Sequence, residues 1–115
     1  MADSEPLGYP VGLVGESHYQ KAIRRCSVGD CVHLFLEPTN PYDPLAIAVE
    51  TEAGATIGYI PRNSFLQRVI HEEENGCSAR ILNLVRDDAG LSHVGVVIDI
   101  EIDDTPLNER PHRPD

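Results

Sequence analysis

The sequence predicts a mainly β or α+β fold, a small barrel or sandwich of mostly antiparallel strands carrying two modest helices. Three observations predict it. Six segments carry period-two or β-branched apolar patterning, bounded by clusters of Gly, Pro, Asn and Asp. Only two segments place apolar residues at helical spacing. The connections between segments are short, which suits antiparallel neighbours.

Val11 to Gly15 reads as a short strand. His18 to Cys26 follows with Tyr19, Ala22 and Ile23 at helical spacing and Lys21, Arg24 and Arg25 turned elsewhere. Ser17 is the expected cap of this helix and Gly29 its stop. In Cys31 to Glu37, Val32, Leu34 and Leu36 alternate, so one face should be inward. Pro38 to Pro44 packs three prolines and an Asn-Pro step into seven residues and must be a loop.

Leu45 to Glu50 and Thr56 to Ile60 are paired strands around a tight turn at Gly54. Asn63 to Glu74 is the clearest helix, capped by Asn63 or Ser64, with Phe65, Leu66, Val69 and Ile70 forming one stripe. Cys77 to Arg86 and Leu91 to Ile102 form a long hairpin about Asp87-Asp88-Ala89-Gly90. We expect residues 1–10 to be a flexible end, 11–102 a single domain, and 103–115 a disordered acidic tail containing prolines.

At 115 residues with 41% hydrophobic composition, the chain can bury one small core. No apolar run approaches the ~20 residues of a membrane span. Residues 1–10, with Asp3 and Glu5 and no apolar stretch, do not read as a signal peptide, so a cytoplasmic address is expected; a monomer is expected as well. Cys26, Cys31 and Cys77 are expected to be buried or half-buried free thiols. No metal and no cofactor is expected. The net charge is −10, yet the flanks outside Val11 to Ile98 hold eight acids against two bases, leaving −4 in the body. That excludes a broad electrostatic grip on duplex DNA, which scales with the phosphates neutralised. A local basic patch at Lys21, Arg24 and Arg25 is compatible with it.

Four stretches in a fixed order carry a resemblance: Leu13 to Tyr19 (LVGESHY), Gly29 to Val32 (GDCV), Leu36 to Val49 (LEPTNPYDPLAIAV) and Ile57 to Arg62 (IGYIPR). Together they resemble the HIRAN family over roughly the first half of the chain. The resemblance implies a small OB-like antiparallel β-barrel of about six strands with two short helices. HIRAN domains front some helicase-like DNA-remodelling ATPases and also occur as free-standing chains, and this chain has no room for a motor. The implied function is non-catalytic capture of a single-stranded DNA 3′ end, with a helicase or nuclease as the implied partner protein.

A strand end differs from its middle by a free hydroxyl, and a carboxylate is the strongest acceptor for it. Pro41 and Pro44 fix their own φ and stiffen the loop around Asp43. By resemblance Asp43 takes the 3′-hydroxyl, and Tyr42 beside it offers a face for base stacking. His18 and Tyr59 stand where relatives carry rings that contact nucleotides. Arg62 matches a basic residue that meets phosphate, and Asn40 bonds a phosphate or braces the loop. Ser17 stands where a eukaryotic relative has arginine, which implies weaker affinity unless Lys21, Arg24 and Arg25 compensate.

Each residue also has a plainer role. Asn40 and Asp43 fit turn capping as well as ligand contact. Tyr42 fits a core plug under the loop, Tyr59 a half-buried strand residue, His18 a surface residue and Arg62 a solvated helix start. Two other functions compete. A metal-dependent hydrolase acting on nucleic acid would need converging ligands beyond Asp43 and His18. A protein-interaction module would use the acidic tail to meet a basic partner.

Overall fold

The structure is a computed structural model that describes residues 8–62, 67–68, 70, 76–86, 94–103 and 107–109. Seven strands are present among these: β1 (Gly8–Gly12), β2 (Cys31–Leu36), β3 (Ile47–Thr51), β4 (Thr56–Tyr59), β5 (Gly76–Arg86), β6 (Val94–Asp103) and β7 (Asn108–Glu109). A 3₁₀ turn, Glu16–His18, leads into one short helix, α1 (Gln20–Ile23). The strands form one sheet in the order β1-β6-β5-β2-β3-β4, all antiparallel, with β7 added parallel to β2.

The sheet curls until its ends meet. Past β1 the chain pairs with β4: the Val14 N–H donates to the Tyr59 carbonyl at 2.9 Å, and the Tyr59 N–H returns a bond at 3.0 Å. This is the curled half-barrel of an OB-like fold. The junction needs Gly58. A Cβ there would sit 3.0 Å from Leu13 Cβ and 3.1 Å from the Val14 carbonyl oxygen, and its φ is +155°.

Alternation builds the core. Val94, Val96, Ile98 and Ile100 of β6 are buried, while Gly95, Val97 and Asp99 between them and Glu101 after them are partly open. Val32 and Leu34 of β2 point inward and Cys31 and His33 outward. β3 is covered on both faces, with Ile47 and Val49 in the core and Ala48 and Glu50 buried on the other side. Ala48 stands opposite Phe35 and Tyr59, where a small residue allows the outer face to be covered.

The β1 register with β6 ends at Gly12 and Val97; the Leu13 N–H still donates to the Val96 carbonyl at 2.9 Å, and side chains then continue the ladder. Glu16 Oε2 accepts the Val96 N–H at 2.5 Å. The Gln20 amide accepts the Val94 N–H at 2.6 Å and donates to the Val94 carbonyl at 2.9 Å. Backbone groups that would be orphaned are thereby satisfied.

Several expectations are corrected. β1 begins at Gly8, so the paired region includes residues assigned to the flexible end. The expected disordered tail is paired in part: β6 runs to Asp103, and Asn108–Glu109 lies against Phe35 and Leu36, the part of β2 that β5 does not pair with. The helix expected over His18 to Cys26 is a 3₁₀ turn followed by four helical residues. Ser17 lies inside the turn; Gly15, at φ 74°, occupies the N-cap of that turn and Tyr19 the N-cap of α1, neither with a side-chain cap bond. Cys26 is half-buried but Cys31 is exposed. Burial, and then the charge of Asp30, push the Cys26 thiol above its ordinary range. Of the expected second helix, Gln67, Arg68 and Ile70 are helical and the rest lies outside the described residues, as does the Asp87–Gly90 turn. Among the described residues, no helix is long and apolar enough to cross a membrane.

Candidate nucleic-acid interface

The loop between β2 and β3 is organised by side-chain acceptors rather than by an apolar plug. Asn40 is buried, and its Oδ1 accepts the Tyr42 N–H at 2.9 Å and the Asp43 N–H at 3.2 Å. Its Nδ2 donates to Glu37 Oε1 at 3.2 Å. Asp43 repeats the device one step on, its Oδ1 accepting the Leu45 N–H at 2.9 Å. These Asx bonds turn the chain into β3, which explains why that strand starts at Ile47 rather than Leu45.

Asp43 is also held from outside the loop. Gln67, only 4% exposed, donates through Nε2 to Asp43 Oδ2 at 3.0 Å and to the Leu45 carbonyl at 2.9 Å. Arg62 Nε lies 3.7 Å from the same Oδ2, an ion pair rather than a hydrogen bond. The Asp43 side chain keeps 14% of its surface open, and that of Arg62 keeps 69%. A carboxylate has about four acceptor directions, so Asp43 retains capacity for a further donor.

Tyr42 is 80% exposed, which removes the core-plug alternative. Tyr59 is half-buried on β4, and its hydroxyl donates to the buried Glu37 Oε1 at 2.8 Å. Burial first, and then the hydrogen bond and charge of Glu37, push this phenol far above its ordinary range. It therefore stays protonated and fixed.

One groove of about 560 Å³ is lined by Val14, Gly15 and His18 together with Asn40 to Asp43, Tyr59, Ile60 and Arg62. Six of the eight candidate residues, His18, Asn40, Tyr42, Asp43, Tyr59 and Arg62, meet there. Lys21 lines a second groove instead, and the exposed Ser17 lines neither. Glu37 and Gln67, which orient the site, escape a reading of the sequence. Among the described residues no three His, Cys, Asp or Glu side chains converge as metal ligands do.

Comparison with known proteins places this geometry in context. The HIRAN domain family model matches residues 9–89. The crystal structure of the HIRAN domain of human HLTF superposes with a TM-score of 0.58 at 17% identity, covering 83% of this chain and 74% of that one. A crystal structure of a Lactobacillus plantarum protein superposes with a TM-score of 0.59 at 24% identity, covering 84% of this chain and 99% of that one. No curated protein matches the sequence.

Proposed function

Because the chain belongs to the HIRAN domain family, we propose that it is a non-catalytic nucleic-acid-binding module that captures single-stranded DNA at a free 3′ end. The observation that carries this reading is the pairing of Tyr42 and Asp43 at one groove: an open aromatic face beside a carboxylate clamped by Leu45, Gln67 and Arg62. A terminal base stacks on Tyr42, an interaction worth about 1–3 kcal/mol and tolerant of sequence. The terminal 3′-hydroxyl donates to Asp43, and Arg62 meets the nearest phosphate. The groups that hold Asp43 do so before ligand arrives, which lowers the entropy lost on binding.

A 3′-phosphate would bring like charge against Asp43 and be disfavoured. The test is a titration with labelled single strands that differ only at their ends. We expect a free 3′-hydroxyl to bind more tightly than a 3′-phosphate, and a 5′-phosphate to make no difference. Equal affinity for free and blocked 3′ ends would count against the reading. A helicase or nuclease is the class of partner that would present such ends.

A further inference from the structure

Resting on the end-capture reading, we infer that the captured strand continues past His18 into the second groove, where Lys21 and Arg25 hold its backbone phosphates. The second groove encloses about 630 Å³, and His18 lines both grooves, so they adjoin at that ring. Lys21 and Arg25 both line it. Four residues apart on α1 and its C-terminal turn, they project from one side, with Cβ atoms about 5–6 Å apart. Both are exposed, and among the described residues neither forms an ion pair. They are two cations set along one groove.

The acids that line the groove give the strand a direction across it. Glu52 lies in the turn at Thr51 to Ala55, and Asp30 lies near Cys26, past the end of α1. Asp30 Oδ2 accepts the Ser27 N–H at 2.9 Å, and Glu52 Oε2 lies 4.0 Å from His33 Nε2. Both acids repel phosphate; Glu52, on the turn, therefore sets the sugar-phosphate backbone along α1 with the bases facing Thr51 to Ala55.

The experiment measures affinity against length, using oligothymidylates of two to six nucleotides with free 3′-hydroxyls, for the wild type and for Lys21→Gln/Arg25→Gln. In the wild type, affinity rises beyond the dinucleotide. In the double variant that rise is lost while dinucleotide affinity is unchanged. The slope of log affinity against log salt for the hexamer becomes shallower by about 1.4, at about 0.7 per phosphate contact. Wild-type affinity that saturates at two nucleotides, or an equal rise in the double variant, would overturn this inference and leave end capture standing. A wild type that binds neither dinucleotide nor hexamer would overturn both. Unchanged thermal unfolding of the double variant verifies that its fold is intact.

Discussion

The Tyr59 hydroxyl donates to Glu37 Oε1 across 2.8 Å, and the same oxygen accepts Asn40 Nδ2 at 3.2 Å. One fully buried carboxylate thus joins a wall of the groove, on β4, to the loop that carries Tyr42 and Asp43. Tyr59→Phe removes one donor from a carboxylate that cannot reach water. We expect a loss of about 1–3 kcal/mol at neutral pH, read by denaturant unfolding. The pH dependence adds a second readout. The folded-state phenol is raised above its ordinary value of 10.0, so its contribution is complete below that value and is lost as pH rises above it. The wild type should therefore lose stability more steeply above pH 10.0 than Tyr59→Phe does. Parallel alkaline limbs would sink the account.

Asp43 serves the loop and the groove together, so its removal should show in two assays. Asp43→Ala is expected to abolish the preference for a free 3′-hydroxyl and to cost about 1–2 kcal/mol of stability through the freed Leu45 N–H and Gln67 amide. Gln67→Ala leaves the carboxylate in place but unclamps it. That variant should bind free ends more weakly than the wild type while still discriminating against 3′-phosphate, measured in the same end-blocked titrations.

Tyr42 offers a cleaner separation. At 80% exposure it contributes little to packing, so Tyr42→Ala should leave stability within about 0.5 kcal/mol of the wild type. Binding should weaken by about 1–3 kcal/mol, to similar extents for thymidine and adenine ends, because stacking reads no base edge. A variant that unfolds early would assign Tyr42 to the core after all.

Much of this architecture was legible in the chain. Period-two burial in Val32 and Leu34, and in Val94 through Ile100, is what the sequence pattern predicts, because alternate side chains point to opposite sheet faces. The residues that meet at the groove were legible as a cluster because Asn40, Tyr42, Asp43, Tyr59 and Arg62 belong to a specific ordered motif. What escaped were polar residues whose partners are distant in sequence. Glu37 meets Tyr59 across 22 residues, and Gln20 meets Val94 across 74. No periodicity marks such contacts. Gln67 left one clue: it lies three residues before Ile70, and both are buried, so they share a helix face. Ser17 misled because Ser before a helical pattern is a good cap, yet the chain first makes a 3₁₀ turn through Ser17 and α1 starts only after Tyr19. β7 escaped because two residues among prolines show no alternation.

The closure of the sheet depends on Gly58. Its missing Cβ lets Leu13 and the Val14 carbonyl approach β4, and this brings Val14 and His18 to the same groove as Tyr59. In Gly58→Ala the added carbon meets backbone as well as the Leu13 side chain, so it cannot be accommodated by a rotamer change alone. Overpacking of this kind typically costs about 1–3 kcal/mol, and the positive φ adds to it. Hydrogen exchange should report the site of the damage: the amides of Val14 and Tyr59, which bond each other's carbonyls, should lose protection before those of the β5–β6 hairpin. Because the groove is built on that junction, oligonucleotide affinity should fall with it even under conditions where the variant stays folded. Retained protection at Val14 and Tyr59 in a stable Gly58→Ala variant would show that the junction tolerates a side chain and that the closure rests elsewhere.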